Sequence, residues 1–327
     1  MRIRPLLPAF AICLTALIVA NFAMIPWSHR LPYRMKLDRI RVVQDPDIVF
    51  IGNSLLDGRL DADALNRGAA TAGQAFRVLN AAFVSTSPPD QALLMDYATY
   101  YHPTIRTAVI GFEDFQLTED IRFKPMELTG NHEIAVDSHF PASSVASINQ
   151  WGLIERAEFR LLRLIPIVAN RRNIWRNVEI LRRSMGSIGM PPEATNSLGR
   201  VADFAALEPS SVSSFDEQAQ AFIQDHSHFN TSYERVFADA AQHKLEVVLV
   251  VMPMSPEHRA RFYSRASWQQ YIVALRTIAK ERDFAVIDAS AWMPEQSSFI
   301  DAVHMSQRGG SDFSFLLGKQ LSVAHPL

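Results

Sequence analysis

Short apolar runs alternate with amphipathic stretches along most of this chain, after one long apolar segment at its start. Residues Pro5 to Trp27 are uncharged and mostly apolar. As a helix such a run spans a hydrocarbon core about 30 Å thick. A basic stretch, Ser28 to Gln44, follows. Ile48–Ile51 then reads as a short buried strand and Ala62–Arg67 as a short helix. Val78–Ala82 predicts a second strand and Pro89–Tyr101 a helix with Leu93, Leu94 and Tyr97 on one face. Thr107–Ile110 predicts a third strand. Leu245–Met252 is strongly β-branched and Ala285–Ile287 is a shorter run of the same kind, with a helix from Trp268 to Arg282 between them. Ser311–Val323 closes the chain as a helix. This alternation predicts an α/β fold, a parallel, doubly wound sheet with helices on both faces.

From about Gln116 to Thr231 the alternation stops, which predicts an insertion. A loop with Pro125, Gly130 and Pro141 leads to a long basic helical region, Ile154 to Met185. There Leu161, Leu162, Leu164, Ile165, Ile167 and Val168 are interleaved with Arg156, Arg160, Arg163, Arg171, Arg172 and Arg176. Such a helix either lies on a membrane surface or an anionic partner, or packs on the domain with a solvated arginine face. Gly186 to Ser214, rich in Gly, Pro and Ser, predicts an irregular excursion.

Composition narrows the class. The chain has 327 residues, 48% of them hydrophobic and 20% charged, which is a packed globular protein and not a disordered one. A net charge of −2 gives no field for polyanions, so nucleic acid is excluded as an expected partner. The single cysteine, Cys13, lies in the apolar start, so the remainder has neither a disulfide nor a cysteine metal site.

Arg2 and Arg4 precede the apolar run as in a signal sequence, and no small-x-small cleavage site follows, so residues 1–28 are expected to be an uncleaved signal anchor, a transmembrane helix. Residues 29–44 are then a basic juxtamembrane linker. The positive-inside count sets Arg2 and Arg4 against Arg30, Arg34, Lys36, Arg39 and Arg41, which taken literally keeps the following domain cytoplasmic. The very short N-terminal tail argues the opposite.

Two short motifs carry the chemistry. Asp47-Ile48-Val49-Phe50-Ile51-Gly52-Asn53-Ser54 runs a buried strand into a serine. Far downstream, Asp301-Ala302-Val303-His304 stands just ahead of the last helix. A hydroxyl, a base to deprotonate it and a carboxylate to orient the base are what nucleophilic acyl chemistry needs. Ser54 would project from the C-terminal end of a strand, where open α/β sheets hold ligands, and Gly52 would keep the turn tight. The alternative for Ser54 is an N-cap of the next helix. The alternative for Asp301 and His304 is a surface aspartate and a capping histidine. The block lacks the second glycine of an α/β-hydrolase elbow. His226 and His228 beside Asp225, and His132 with Glu133, lack the spacing of a metal site, so no metal is expected, nor any cofactor.

These blocks resemble the SGNH (GDSL-type) hydrolase superfamily, in which a Gly-Asp-Ser block follows the first strand and Asp and His lie three residues apart near the C-terminus. Here they read Gly52-Asn53-Ser54 and Asp301-Ala302-Val303-His304. A closer likeness is to membrane-anchored bacterial envelope proteins of the alginate acetylation and teichoic acid D-alanylation types. These share the apolar start, the Gly-x-Ser block and a segment like Val78-Leu79-Asn80-Ala81-Ala82. The likeness covers about residues 45–115 and 245–320. It implies a three-layer, flavodoxin-like SGNH domain over residues 45–327, interrupted by the insertion at about 116–231. It also implies Ser54 as nucleophile, His304 as base and Asp301 as its orienter.

In that superfamily a backbone N–H after the second strand and an asparagine after the third hold the oxyanion. Ala82 stands at the first place, and Gly111-Phe112-Glu113-Asp114 puts Glu113 at the second. A carboxylate serves there only when protonated. Glu113 is therefore expected either to turn away or to hold a substrate group such as a sugar hydroxyl, which leaves the amides of Ser54 and Ala82, helped by Asn80, as donors.

The resemblance implies O-acyl transfer, often of acetyl, to or from an envelope polysaccharide beside a multi-spanning membrane acyltransferase. It also implies an inner-membrane, single-pass protein whose domain faces the periplasm. Two other readings stay open: a lipid or small-ester hydrolase, and a non-catalytic glycan-binding scaffold.

Overall fold

The computed structural model describes residues 6–28, 32–131, 133–169, 171, 174–175, 209–224 and 228–324. Before the first strand, α1 covers Leu6–Ser28 and α2 Pro32–Val42. Between strands come α3 (Ala62–Ala70) and α4 (Pro88–Tyr101), then α5 (Pro125–Asn131), α6 (Glu133–Val136), α7 (Ala142–Ile148), α8 (Leu153–Arg163) and α9 (Pro166–Ala169). The remaining helices are α10 (Pro209–Gln224), α11 (Thr231–Gln242), α12 (Pro256–His258) continued by a π-helical turn over Arg259–Tyr263, α13 (Ala266–Glu281) and α14 (Gln307–Ala324). These residues fall into two compact units. One lies within Met1–Arg39 and Arg122–Glu193, the other within Ile40–Ile121 and Ala194–Leu327.

In the second unit β1 (Ile48–Ile51), β2 (Val78–Asn80), β3 (Thr107–Phe112), β4 (Glu246–Val251) and β5 (Ala285–Asp288) form one parallel sheet, in the order β2-β1-β3-β4-β5. Val49, Phe50, Ile51, Val109, Ile110, Leu249 and Val250 are all buried. A parallel sheet covered on both faces demands such unbroken apolar runs.

Right-handed crossovers put α3, which leads from β1 to β2, on one face, and α4, α11 and α13, which lead the other way across the sheet, on the opposite face. The packing agrees: α3 lies against α14, α4 against α11, and α10 against α13. Because the chain leaves β1 in one direction and returns past it to β3, the switch point of the sheet lies between the C-terminal ends of β1 and β3. That is where open sheets of this order leave a crevice.

The α3–α14 pair fixes what lies over that crevice. Asp61 caps α3, accepting from the Ala64 N–H at 2.9 Å, and its other oxygen accepts from Ser311 Oγ at 2.8 Å. Gly318 of α14 lies so close to the Leu65 carbonyl of α3 that a Cβ there would collide with it. The end of the chain is thereby held against the segment that follows β1.

The first unit is helical. Asn21 of α1 donates to the Leu164 carbonyl at 3.4 Å and accepts from the Ile167 N–H at 3.3 Å, which joins α1 to the start of α9. Ile12, Leu14, Ile18, Val19 and Phe22 are exposed on α1. Among the described residues no helix is long and apolar enough to cross a membrane. The membrane-spanning reading of residues 5–27 therefore rests on their sequence.

The long basic helical region expected over residues 154–185 is interrupted in its described part. α8 ends at Arg163 and a new turn starts at Pro166, because proline brings no N–H and crowds the residue before it out of helical geometry. Arg172, Arg176 and most of the Gly186–Ser214 stretch lie outside the described residues, as do His132, Asp225 and His226.

Candidate active site

Ser54 sits in the turn that leaves β1. Its neighbour Asn53 builds that turn. The Asn53 carbonyl accepts from the Leu56 and Asp57 N–H groups at 3.2 and 3.0 Å, and its Oδ1 accepts from the Leu55 N–H at 2.9 Å. Asn53 therefore serves as the local cap, and α3 is capped by Asp61, so Ser54 has no capping role. Gly52 is needed where the chain passes β3: a Cβ there would lie 2.9 Å from Leu56 Cδ1 and 3.1 Å from the Gly111 carbonyl oxygen.

Across 250 residues of sequence, Ser54 Oγ lies 2.8 Å from His304 Nε2. On the other side of the ring, His304 Nδ1 lies 2.9 and 3.1 Å from the two oxygens of Asp301. Asp301 Oδ1 also accepts the backbone N–H groups of His304 at 2.7 Å and Val303 at 3.0 Å. The loop is closed behind them by the Ile300 N–H to the His304 carbonyl at 2.9 Å and a bridge between Phe299 and Met305.

Burial pushes the Asp301 carboxyl upward, but the His304 and Val303 N–H groups and the His304 ring outweigh it. The net displacement is below the ordinary carboxylate value. An ionised Asp301 holds Nδ1 as the protonated nitrogen and leaves Nε2 to accept the serine proton. His304 and Asp301 side chains are 30% and 24% exposed, so the site opens to solvent.

The oxyanion candidates separate. The Ala82 N–H is taken by Asn80 Oδ1 at 3.0 Å, and Asn80 Nδ2 points to the Leu56 carbonyl at 3.5 Å. Among the described residues the Ser54 N–H has no acceptor, so it is the backbone donor left open beside the Ser54 hydroxyl.

Glu113, half-buried just past the end of β3, accepts from Asn53 Nδ2 at 2.9 Å. Burial, followed by the charge of Asp114, pushes its carboxyl above the ordinary value against the pull of Asn53, His258 and His304. Behind it Asp114, at φ 43°, turns away. Its Oδ1 meets His258 Nε2 at 3.1 Å and its N–H donates to the Tyr263 hydroxyl at 3.2 Å.

The Asn53–Glu113 and Asp114–His258 contacts were not foreseen from the sequence. The first had a signal in the Gly52-Asn53-Ser54 block, whereas nothing in the sequence marks His258. Among the described residues no group of three or more His, Cys, Asp or Glu side chains could hold a metal ion.

No protein-family model matches the chain, and no curated protein does. Among solved structures it is similar to a lipase/acylhydrolase from Enterococcus faecalis, at 14% identity and a TM-score of 0.39, covering 85% of this chain and 96% of that one. It is also similar to a GDSL-like lipase from Bacteroides thetaiotaomicron, at 10% identity and a TM-score of 0.37, covering 90% of this chain and 98% of that one.

Proposed function

We propose that this chain is a serine-dependent acyl-ester enzyme in which Ser54 attacks an ester carbonyl, His304 takes its proton and Asp301 orients the imidazole. The observation that carries this reading is the unbroken Ser54–His304–Asp301 relay, 2.8 and 2.9 Å long at its two steps, at the switch point of a parallel sheet. As Oγ bonds to the carbonyl carbon, the Oγ–H proton moves to Nε2 and the carbonyl pair moves onto oxygen, facing the Ser54 N–H. Collapse expels the alcohol, which takes the proton from Nε2, and leaves an acyl-Ser54.

Water or a sugar hydroxyl then resolves the acyl-enzyme by the reverse proton path. Our finer reading is O-acyl transfer, of acetyl in the first instance, to or from an envelope polysaccharide, by a protein anchored through residues 1–28 with its catalytic unit in the periplasm. The apolar exposure of Ile12, Ile18, Val19 and Phe22 supports the anchor. A multi-spanning acyltransferase would be the acyl source.

The test is turnover of p-nitrophenyl acetate with and without acetylated or free envelope oligosaccharides. Nitrophenol release that depends on Ser54, with acetyl appearing on the sugar, supports transfer. Release with acetate as the only product supports a hydrolase. Glycan binding that is equal in Ser54→Ala, with no release by either protein, overturns the enzymatic reading in favour of a scaffold.

A further inference from the structure

The register of the sheet brings a second acidic group to the nucleophile. β1 and β3 pair so that Ile51 stands opposite Ile110. Ser54 and Glu113 each lie three residues further on, in the segments that leave the C-terminal ends of these two adjacent strands. Asn53 joins them: its Oδ1 is fixed by the Leu55 N–H and its Nδ2 is fixed on Glu113 Oε1. One carboxyl oxygen of Glu113 is thus held as an acceptor by the residue that precedes Ser54.

The surroundings are wrong for a carboxylate. Among the described residues no lysine or arginine forms an ion pair with Glu113. The groups that face it are its neighbour Asp114, His258 of α12, Tyr263 of the π-helical turn, Tyr233 of α11 and His304 of the C-terminal loop. Of the two histidines, His258 is engaged by Asp114 and His304 by Asp301. Burial without a countercation, next to a second carboxyl, favours the protonated form of such a group, in line with the upward displacement noted above.

We propose that Glu113 acts as an un-ionised carboxylic acid, its Oε1 held by Asn53 and its Oε2–H donating a hydrogen bond to the carbonyl oxygen of the scissile ester. Together with the Ser54 N–H it completes a two-donor oxyanion site, the role left open by the occupied Ala82 N–H. No proton is transferred in this contact. The hydrogen bond strengthens as negative charge develops on the oxygen and relaxes when the acyl-enzyme forms.

This inference rests on the reading of Ser54 as nucleophile, so its test separates the two. Wild type, Glu113→Gln and Glu113→Ala would each be labelled at Ser54 with a fluorophosphonate and assayed on p-nitrophenyl acetate across pH. A failure of wild type to label or turn over removes the Ser54 reading itself. Given an active wild type, Glu113→Ala should lose about 10²–10³-fold in kcat, the usual effect of deleting one oxyanion donor. Glu113→Gln keeps a donor and should recover most of that loss.

The wild-type rate should also fall at alkaline pH as Glu113 ionises, and Glu113→Gln should not show that fall. Infrared spectra at neutral pH should contain an un-ionised carboxyl band that is absent from Glu113→Gln. Two results would overturn the proposal: Glu113→Gln as slow as Glu113→Ala while still folded, or an alkaline limb identical in wild type and Glu113→Gln.

Discussion

Two aspartate–histidine pairs in this molecule look alike on paper and serve different ends. In the helical unit, Asp137 Oδ1 lies 2.6 Å from His139 Nδ1, and its side chain is wholly buried. There Arg34 meets it at 2.7 Å, while Arg163 donates to the Val136 carbonyl at 3.0 Å and to the Asp137 carbonyl. In the sheet unit, Asp301 is part-exposed, ion-pairs with no arginine among the described residues, and is held by two backbone N–H groups and the His304 ring.

The difference lies in where each carboxylate spends its charge. Asp137 is neutralised by a cation inside a packed unit, so its effect is on stability. Asp301 directs its charge at one imidazole, whose far nitrogen touches a serine hydroxyl.

The sharpest break in this comparison is Asp301→Asn. It should lower kcat on p-nitrophenyl acetate by about 10⁴-fold, because the amide stabilises the wrong tautomer, while the melting temperature moves little. Asp137→Asn should do the reverse. Removing one partner of a buried ion pair costs about 3–5 kcal/mol, to be read by denaturant titration, and the protein that remains folded should still react at Ser54.

Gly318→Ala should sit between them. It overpacks the α3–α14 contact at a cost of about 1–3 kcal/mol. Because α14 holds the His304 loop over Ser54, it should also slow acylation measurably. A normal rate in a destabilised Gly318→Ala would show that the loop does not depend on that helix.

The smallest effect is acid stability. The folded carboxyl of Asp301 lies below its unfolded value, so its contribution is fully present above the ordinary carboxylate range and is lost as pH falls through the folded value. With the group part-exposed and screened by solvent, the stability gap between wild type and Asp301→Asn should be under about 1 kcal/mol at neutral pH and close on acidification.

The sheet was legible because its central strands are buried on both faces and announce themselves as apolar runs, as at Val247–Val251. The break before Pro166 has its signal in that proline, which the expectation of one helical region over residues 154–185 did not use. The contact between Ser54 and His304 could not be read from spacing. It depends on α14 docking on α3, through glycine and serine contacts that carry no periodic signal.

The Asn53–Glu113 bond depends on strand order and register: only once β3 is known to lie beside β1 do positions 53 and 113 become neighbours. Likewise, neither Arg34 nor Asp137 is marked by its local sequence, and their pairing across about 100 residues of chain is a product of packing.

The most direct test of the central claim is to trap the acyl-enzyme. The full chain would be mixed with p-nitrophenyl acetate, quenched in acid and mapped by peptide mass spectrometry, alongside Ser54→Ala. We expect one acetyl group on the peptide containing Ser54 in wild type and none in Ser54→Ala. An adduct that persists in Ser54→Ala, or maps to another residue, would contradict the assignment of Ser54 as the nucleophile.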